Sequence, residues 1–530
     1  MIEYINFDMT GDEYLLRQLQ SYNVTKALIN QELSGIFGSS TLRDLNDILK
    51  MYKVYEEGCK FDIDISSDDW LPSEWKSKQI KTLIDKEARF MFSVSPDIIL
   101  RDTESTEPNS TRIEANEKLV QVVLKENNFQ SKLVRGAKDC LIGKRLALAV
   151  NANEESGITI SFIPSMEFIY ETDPTNVDRI TKFIQFYNTV INDDKIQQRI
   201  YKKKWYMENG FCRVVEELYD GNANLVETIT PDMATRFSFI PVYVIVNDGL
   251  TGDPFGISEV ESLIDDESFY NKLSSKDIDS LRKGTDQISY TIDADPRTTK
   301  DLSRAPGAFW DIATDITKEG KTAQVGTLDN PMSYSGALSV TLSRIKNDMY
   351  AQLDMPDTTS EALQGIVTSG KTMQAIYWGL ITRCNEKMLD WIPAFEHAVE
   401  SILEAGRLYP EIVRRYIDDP IVDGYMIQVE NNYPILQDET EEKATDILEI
   451  NAKTLSRKAY IKKWRGLTDD EIQAELEQIV LETSMLEHES YPSEEVQPEE
   501  SEEPEDEDGN EPPEEPEENE DVSEEPPEEE

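Results

Sequence analysis

Gly365, Gly370, Lys371 and Thr372 are the residues whose types and spacing most directly suggest chemistry. Together they fit the pattern G-x-x-x-x-G-K-[ST]. In a nucleotide-binding loop the glycines let backbone N–H groups wrap the phosphates. Lys371 would then reach the β- and γ-phosphates and Thr372 would hold Mg²⁺. Such a loop must leave the end of a buried strand and open a helix. A helical pattern does follow, but Asp354 to Gln364 before it has no β-branched apolar run and contains Pro356. No apolar strand ending in Asp, fit to hold the metal, lies downstream. The context favours a loop meeting a helix start, with ATP binding as the alternative.

Other chemistry is thinly supplied. The only histidines are His397 and His488, which excludes most zinc and Ser-His-Asp sites. Cys59, Cys140, Cys212 and Cys384 are widely spaced and read as buried thiols of a reducing compartment, not as metal ligands. Neither a cofactor nor a metal is expected. The basic run Lys202 to Lys204 beside Trp205 and Tyr206 could stack bases and hold phosphates, but a solvated strand face is the commoner meaning. Paired acids such as Asp265 and Asp266 carry little information among 105 Asp and Glu.

The elements that would position these residues form an α+β, helix-rich chain. Apolar residues recur at helical spacing within Asp12 to Lys60, and again from Gln79 to Phe92 before Pro96. Ala115 to Ala149 begins helical and turns strand-like at Leu146 to Val150. From Ile158 to Val246 the period shortens: Ile158 to Ile163, Arg199 to Tyr201, Phe211 to Val215 and Phe239 to Val246 read as strands, with a hairpin turn at Asp220 to Asn222. Three longer helical stretches follow, Gly256 to Lys283, Ser335 to Leu353 and Lys371 to Glu404, the last with a kink or a junction expected at Pro393. Short strands are expected near Ile288 to Ile292 and Ala308 to Ile312. After Gly406 the pattern gives a strand at Tyr425 to Val429 and helices at Thr440 to Leu455 and Asp469 to Glu487.

Charge divides the chain. Of 530 residues, 53 are Lys or Arg, and the net charge is -52. Residues 491–530 hold 22 acids, 8 prolines and no Lys or Arg, and Val496 and Val522 are their only aliphatic side chains besides proline. That composition predicts disorder. The remaining 490 residues keep a net -30 and are long enough for about three domains. A protein that grips duplex DNA over a large area needs clustered positive charge, which this balance excludes. No apolar stretch approaches the roughly 20 residues of a membrane helix. Met1 to Glu13 carries four acids and no base, unlike a targeting signal.

Several landmarks occur in a telling order. They are Leu83 to Phe92 followed by Pro96, with Ser93 where glycine is usual; Ala137 to Ala149 with Gly143; and Ile163-Pro164 leading to Tyr170. Then come Ile240-Pro241 leading to Asn247, Phe255-Gly256 leading to Val260, Ser369 to Thr372, and Tyr433-Pro434. In this order the sequence resembles the portal proteins of tailed bacteriophages, in the branch found in long-tailed phages of Gram-positive bacteria. The likeness spans about Leu83 to Glu487.

The resemblance implies a portal fold with wing, stem helices, clip, tunnel loop and helical crown. Residues 1–255 and 371–407 would form the wing, 256–283 and 334–353 the stem helices, and 284–333 the clip. Residues 354–370 would form the tunnel loop and 408–490 the crown; the tail at 491–530, expected from composition to be disordered, is not part of the pattern. It also implies a homo-oligomeric ring of about twelve subunits in the virion, at one capsid vertex, assembled in the host cytoplasm. The implied partners are the large terminase, the head–tail adaptor, the major capsid protein and scaffold, and double-stranded DNA passing without sequence specificity. No catalysis and no membrane are implied. Asp354, Asp357, Thr358, Thr359, Ser360, Glu361, Gln364 and Thr368 would line the tunnel. Asp265, Asp266 and Glu267 would be stem residues facing the channel. Arg297, Lys300, Arg304, Trp310, Lys318 and Lys321 would sit in the docking clip. A P-loop NTPase and an acidic-tailed binding protein stand as the alternatives.

Overall fold

The computed structural model describes residues 32, 36–61, 71–104, 112–153, 155–192, 196–220, 222–250, 253, 255–285, 288–300, 302, 310–317, 320–328, 333–357, 370–434, 439–467 and 469–489. The expected disorder of residues 491–530 lies outside these, as does the helical pattern before Glu32. The chain divides into two compact units, residues 1–438 and 439–530, where length alone suggested three domains. The architecture is mixed α and β with helix in excess.

In the first unit the helices are α1 (Ile36–Glu57), α2 (Gln79–Phe92), α3 (Glu114–Glu126) and α4 (Phe129–Gly143). Ile80, Leu83, Ile84, Ala88 and Met91 of α2 are buried at helical spacing, so one stripe faces the core. Strand β1 (Asp97–Asp102) follows α2. The next strands are β2 (Arg145–Asn153), β3 (Gly157–Pro164), β4 (Phe168–Asp173), β5 (Asn176–Asn192), β6 (Ile196–Glu208), β7 (Phe211–Tyr219), β8 (Leu225–Ala234) and β9 (Val242–Val246).

These strands make a three-stranded sheet ordered β3-β2-β9 and a five-stranded sheet ordered β4-β5-β6-β7-β8. The turn expected at Asp220 is there. Its carboxylate accepts from the N–H groups of Asn222 and Asn224, both at 2.9 Å. β5 and β8 are longer than any pattern indicated. β5 mixes Asp178, Arg179, Lys182 and Gln185 with apolar residues, and strand neighbours on both sides stabilise it where its own sequence gives no clean alternation.

α5 (Glu259–Thr285) and α6 (Ser335–Gln352) flank a hairpin of β10 (Ile288–Ile292) and β11 (Gln324–Leu328). The second hairpin strand therefore lies at Gln324–Leu328. The expected strand near Ala308 is not formed at residues 310–312, and residues 308–309 lie outside the described chain. Gly326 allows this pairing, since a Cβ there would lie 2.6 Å from the ring of Tyr290 across the ladder.

α7 (Gly370–Ile376) and α8 (Trp378–Leu408) come next. α8 runs through Pro393 as one helix, so no two helices meet there, and the interruption falls at Tyr377 instead. The carbonyl freed by Pro393 belongs to Leu389, an exposed residue in reach of solvent. Strand β12 (Tyr425–Glu430) returns to pair antiparallel with β1.

The core of this unit lies where α8 crosses β2, β9 and α3. Phe92, Phe129, Trp391 and Phe395 form one aromatic group there. Phe168, Phe183 and Trp205 form another on the larger sheet. All four cysteines are buried and none forms a disulfide; burial pushes the Cys59 thiol up to about 12 and Cys212 to about 11.

His397 is enclosed by Phe239 and Tyr243, and burial lowers its pKa to about 4. A depressed histidine stabilises the fold fully above its unfolded value near 6.5. That contribution is lost as pH falls through about 4. Denaturant unfolding should therefore show on the order of 2–3 kcal/mol of stability lost over this window. His397→Phe should flatten that part of the profile, and an unchanged profile would contradict the assignment.

The second unit holds α9 (Glu439–Asn451), α10 (Arg457–Arg465) and α11 (Asp469–Glu489). α10 was not evident from the pattern, because its sequence is mostly basic. Ser456 caps its N-terminus by accepting from the Ala459 N–H, and Gly466 closes it at φ 62°. Asp446 of α9 accepts from Trp464 Nε1 at 2.7 Å and from Lys463 Nζ at 3.0 Å. Arg465 meets Glu475 of α11 at 2.6 Å.

Candidate functional site

The site of interest is the α5–α6 pair and the structure that roots it. Strand β9 ends at Val246, and Gly256 turns the chain into α5 with φ 72°. Ser258 follows and donates to the Ile142 carbonyl at 2.7 Å. Glu259 opens the helix, where a carboxylate is favoured by the free N–H groups of the first turn.

Glu259 is the centre of a buried charge cluster. It pairs with both Lys387 and Arg383 of α8. Arg383 also meets Glu87 of α2 at 3.2 Å, and Lys387 donates to Asn247 Oδ1 at 2.9 Å. Asn247 in turn donates to the Ile257 carbonyl at 2.8 Å. Two acids and two bases thus join α2, α5, α8 and the end of β9, and Glu87 is 0% exposed. Burial, then the neighbouring Glu259 charge, raises the Glu87 carboxyl to about 7 against the pull of Lys387 and Arg383. Burial acts on Glu259 too, but the two cations outweigh it and hold its carboxyl below the usual range.

Further along α5, four side chains at four-residue spacing hold an extended segment against the helix. Asp279 accepts from the Ser73 N–H at 2.8 Å and Ser275 from Trp75 at 2.8 Å. Asn271 accepts from Ser77 at 2.9 Å and Glu267 from Ile80 at 2.9 Å. The first three donors, Ser73, Trp75 and Ser77, alternate along the segment while their acceptors recur every fourth residue on one helical stripe, so those periods match. Ile80 lies in the first turn of α2, so Glu267 also places its carboxylate at that helix N-terminus.

This geometry corrects the assignment of Glu267 to the channel face. The side chain is buried against residues 71–80, inside the subunit. Burial raises its carboxyl above the usual range even though backbone N–H groups favour the charge. Asp265 is exposed. Asp266 is half-buried and accepts from Gln352 Nε2 of α6 at 2.6 Å. That contact, with Tyr334 donating to Asp277 at 3.5 Å, sets α6 antiparallel beside α5. Met349, Tyr350 and Leu353 bury the end of α6 nearer the root. Val340, nearer its start, is 70% exposed, and Phe269 of α5 is 60% exposed.

Among the residues expected in a clip, Arg297, Lys300 and Lys321 are exposed and Trp310 is half-buried. Asp295 caps the short helical turn that carries Arg297, and Lys321 lies 3.7 Å from Asp293. Arg304 and Lys318 lie outside the described residues. Of the residues expected in a tunnel loop, Asp354 and Asp357 are exposed at the end of α6. Thr358, Thr359, Ser360, Glu361, Gln364 and Thr368 lie outside the described chain.

The apparent phosphate loop lacks its frame. Gly365 to Ser369 are not described, and Gly370, Lys371 and Thr372 open α7. Every strand pairing among the described residues is antiparallel, so no βαβ unit is there to present a phosphate loop. The basic run on β6 is also accounted for. Lys202 and Lys204 share Glu32 with Lys182, and Lys203 meets Glu216 at 2.9 Å. Burial opposes the Glu32 charge, but the Lys202 hydrogen bond and the lysine charges outweigh it and lower its pKa to about 2. These lysines balance the carboxylates of Glu32 and Glu216 instead of offering a phosphate surface.

Antiparallel sheets and a long helix pair rooted in buried charge are the features that define this α+β chain. Residues 73–488 match the profile of the family described as phage portal protein, SPP1 Gp6-like, and the chain belongs to that family. No curated protein gives a significant match. Portal proteins are structural, not enzymatic, which sets aside the NTPase reading. Among the described residues no helix is long and apolar enough to cross a membrane, and no group of side chains is arranged to hold a metal ion.

Proposed function

We propose that this chain assembles head-to-tail into a closed ring of about twelve subunits at one capsid vertex. The ring is the channel for packaging and ejection of double-stranded DNA. The large terminase and then the head–tail adaptor dock on it, and the major capsid protein and scaffold surround it. α5 and α6 are the stem, and the β10–β11 region between them is the clip with Arg297, Lys300, Arg304, Trp310, Lys318 and Lys321. Residues 354–370 are the tunnel loop. Residues 1–255 and 371–407 are the wing. The crown is drawn from 439 instead of 408, because pairing of β12 with β1 ties residues 425–430 into the first unit.

The observation that carries this reading is the match of residues 73–488 to the portal family, and the exposure of Phe269 and Val340 along a helix pair with a buried root agrees with it. Apolar side chains held out on a rigid arm call for a neighbour, and a head-to-tail ring supplies one to every subunit. Charge supports the same reading. A wall built from chains whose residues 1–490 carry net charge -30 repels phosphates, so DNA slides instead of sticking. Asp265 and Asp266 remain the stem acids suited to that wall. Negative-stain electron microscopy of the purified protein should show rings with a central hole. A monodisperse monomer at every salt concentration would overturn the proposal.

A further inference from the structure

In a chain where acids outnumber bases two to one, residues 453–465 carry six Lys or Arg and no acid. This stretch is the basic helix α10 with its approach. Arg457, Lys458, Lys462 and Arg465 are exposed on it. Lys458, Lys462 and Arg465 stand at i, i+4 and i+7, one stripe of the helix. Lys463 is turned the other way, to Asp446 and Glu442 of α9. The helix is fixed by its serine cap, by Trp464 on Asp446 and by buried Ile461, so the stripe is rigidly presented.

The same compact unit continues into the most acidic segment of the chain. α11 ends at Glu489, and residues 491–530 follow with 22 acids and no base. α11 has 21 residues, about 31 Å at helical rise. It is tied to α10 at its first turns by Arg465 and Glu475. A 40-residue segment can extend to about 130 Å, so it easily reaches back along α11 to the basic stripe. Tethering also gives it a local concentration on the order of millimolar.

We propose that residues 491–530 bind the basic face of α10 (Arg457, Lys458, Lys462 and Arg465) and so mask it from other polyanions. Arg465 exchanges its surface pair with Glu475 for tail carboxylates, a swap between solvated partners with little net difference. The contact is multivalent, unspecific in sequence and strongly salt-dependent. It gives the tail an address on the chain's own surface.

The test uses the protein truncated at 490 and a labelled peptide of residues 491–530, followed by fluorescence anisotropy at low salt. The peptide should bind, and binding should fade as salt is raised. Replacing Arg457, Lys458, Lys462 and Arg465 with serine should weaken it about tenfold or more, from four exposed pairs. These side chains are exposed, so the unfolding midpoint of the variant should stay close to that of its parent. Full-length protein should bind a short DNA duplex more weakly than the truncated form, with the difference lost in the serine variant. Equal peptide binding to the variant and its parent would overturn the proposal. So would α10-dependent binding of the duplex that is as tight with the tail as without it, which would make α10 an open nucleic-acid surface. Neither measurement requires the ring, so failure here is distinct from failure of the ring reading.

Discussion

Glu259→Ala is expected to destabilise the protein by about 3–5 kcal/mol, as when one partner of a buried ion pair is removed. The loss exceeds the worth of the contacts themselves. Glu259 is the carboxylate that both Lys387 and Arg383 reach, and Lys387 is buried. Without it the carboxylate nearest to those cations is Glu87, whose carboxyl is held up near neutral pH by burial and by Glu259 itself. Removing Glu259 lets Glu87 ionise more readily, which recovers part of the loss and keeps the value below the full desolvation cost of a lone buried charge. Glu87→Gln should cost less than about 1 kcal/mol near pH 6, because glutamine imitates the protonated acid that predominates there. Denaturant titration of both variants checks the pair. Equal effects would show that the cluster is not organised around Glu259. In a ring, the same loss should loosen the angle at which α5 leaves the subunit.

Gly256→Ala is expected to cost about 3 kcal/mol or more, by two effects that act together. The backbone at Gly256 is left-handed, with φ 72°. A Cβ there would also lie 2.6 Å from the Lys144 carbonyl oxygen and 2.8 Å from that of Asn247. Both obstacles are backbone atoms next to the three-stranded sheet, so no side chain can swing away to make room. The adjacent Asn247 carbonyl accepts from the Ile257 N–H at 2.9 Å, and a shift would disturb that bond as well. Gly284→Ala is the control: it lies in α5 with open space around its Cβ position, and should leave the midpoint within about 0.5 kcal/mol of wild type. A similarly small effect at Gly256 would contradict the close packing at the start of α5.

Local pattern carried much of the fold. Gln79 to Phe92 appears as an α-helix with those bounds, and Ile288 to Ile292 as a strand with those bounds. The order of helices and strands from Gln79 to α11 was largely legible, because amphipathic spacing is a property of short windows. What was missed depended on neighbours. β5 and β8 are long because adjacent strands template them, and α10 is basic, so its apolar stripe is reduced to Ile461. Pro393 signalled a kink or a junction of two helices; the helix is continuous there, and the freed carbonyl belongs to the exposed Leu389.

The root cluster was not recognised, although it left a signal. Glu87 interrupts the apolar stripe of Leu83, Ile84, Ala88 and Met91, and Lys387 interrupts that of Leu380, Cys384, Met388 and Trp391. A charge on a core-facing stripe needs a partner from another element. The partner's identity was invisible, because Glu87, Glu259 and Lys387 lie far apart along the chain. Glu267 failed for the complementary reason: three successive acids on a helix point in different directions, and only packing against residues 71–80 shows which one is inside.

Composition and order of parts, both properties of the chain alone, were enough to indicate a non-enzymatic portal protein and to isolate its acidic end. These signals survive without coordinates because they rest on residue content and on short-range periodicity. The tertiary structure decided which charges are spent inside the subunit and which remain outside it. Lys202 to Lys204 and Glu267 turned inward to meet partners, while Asp265 and the basic stripe of α10 stayed on the surface. Burial is set by long-range contact, and a buried charge is stable only opposite a partner that sequence distance conceals.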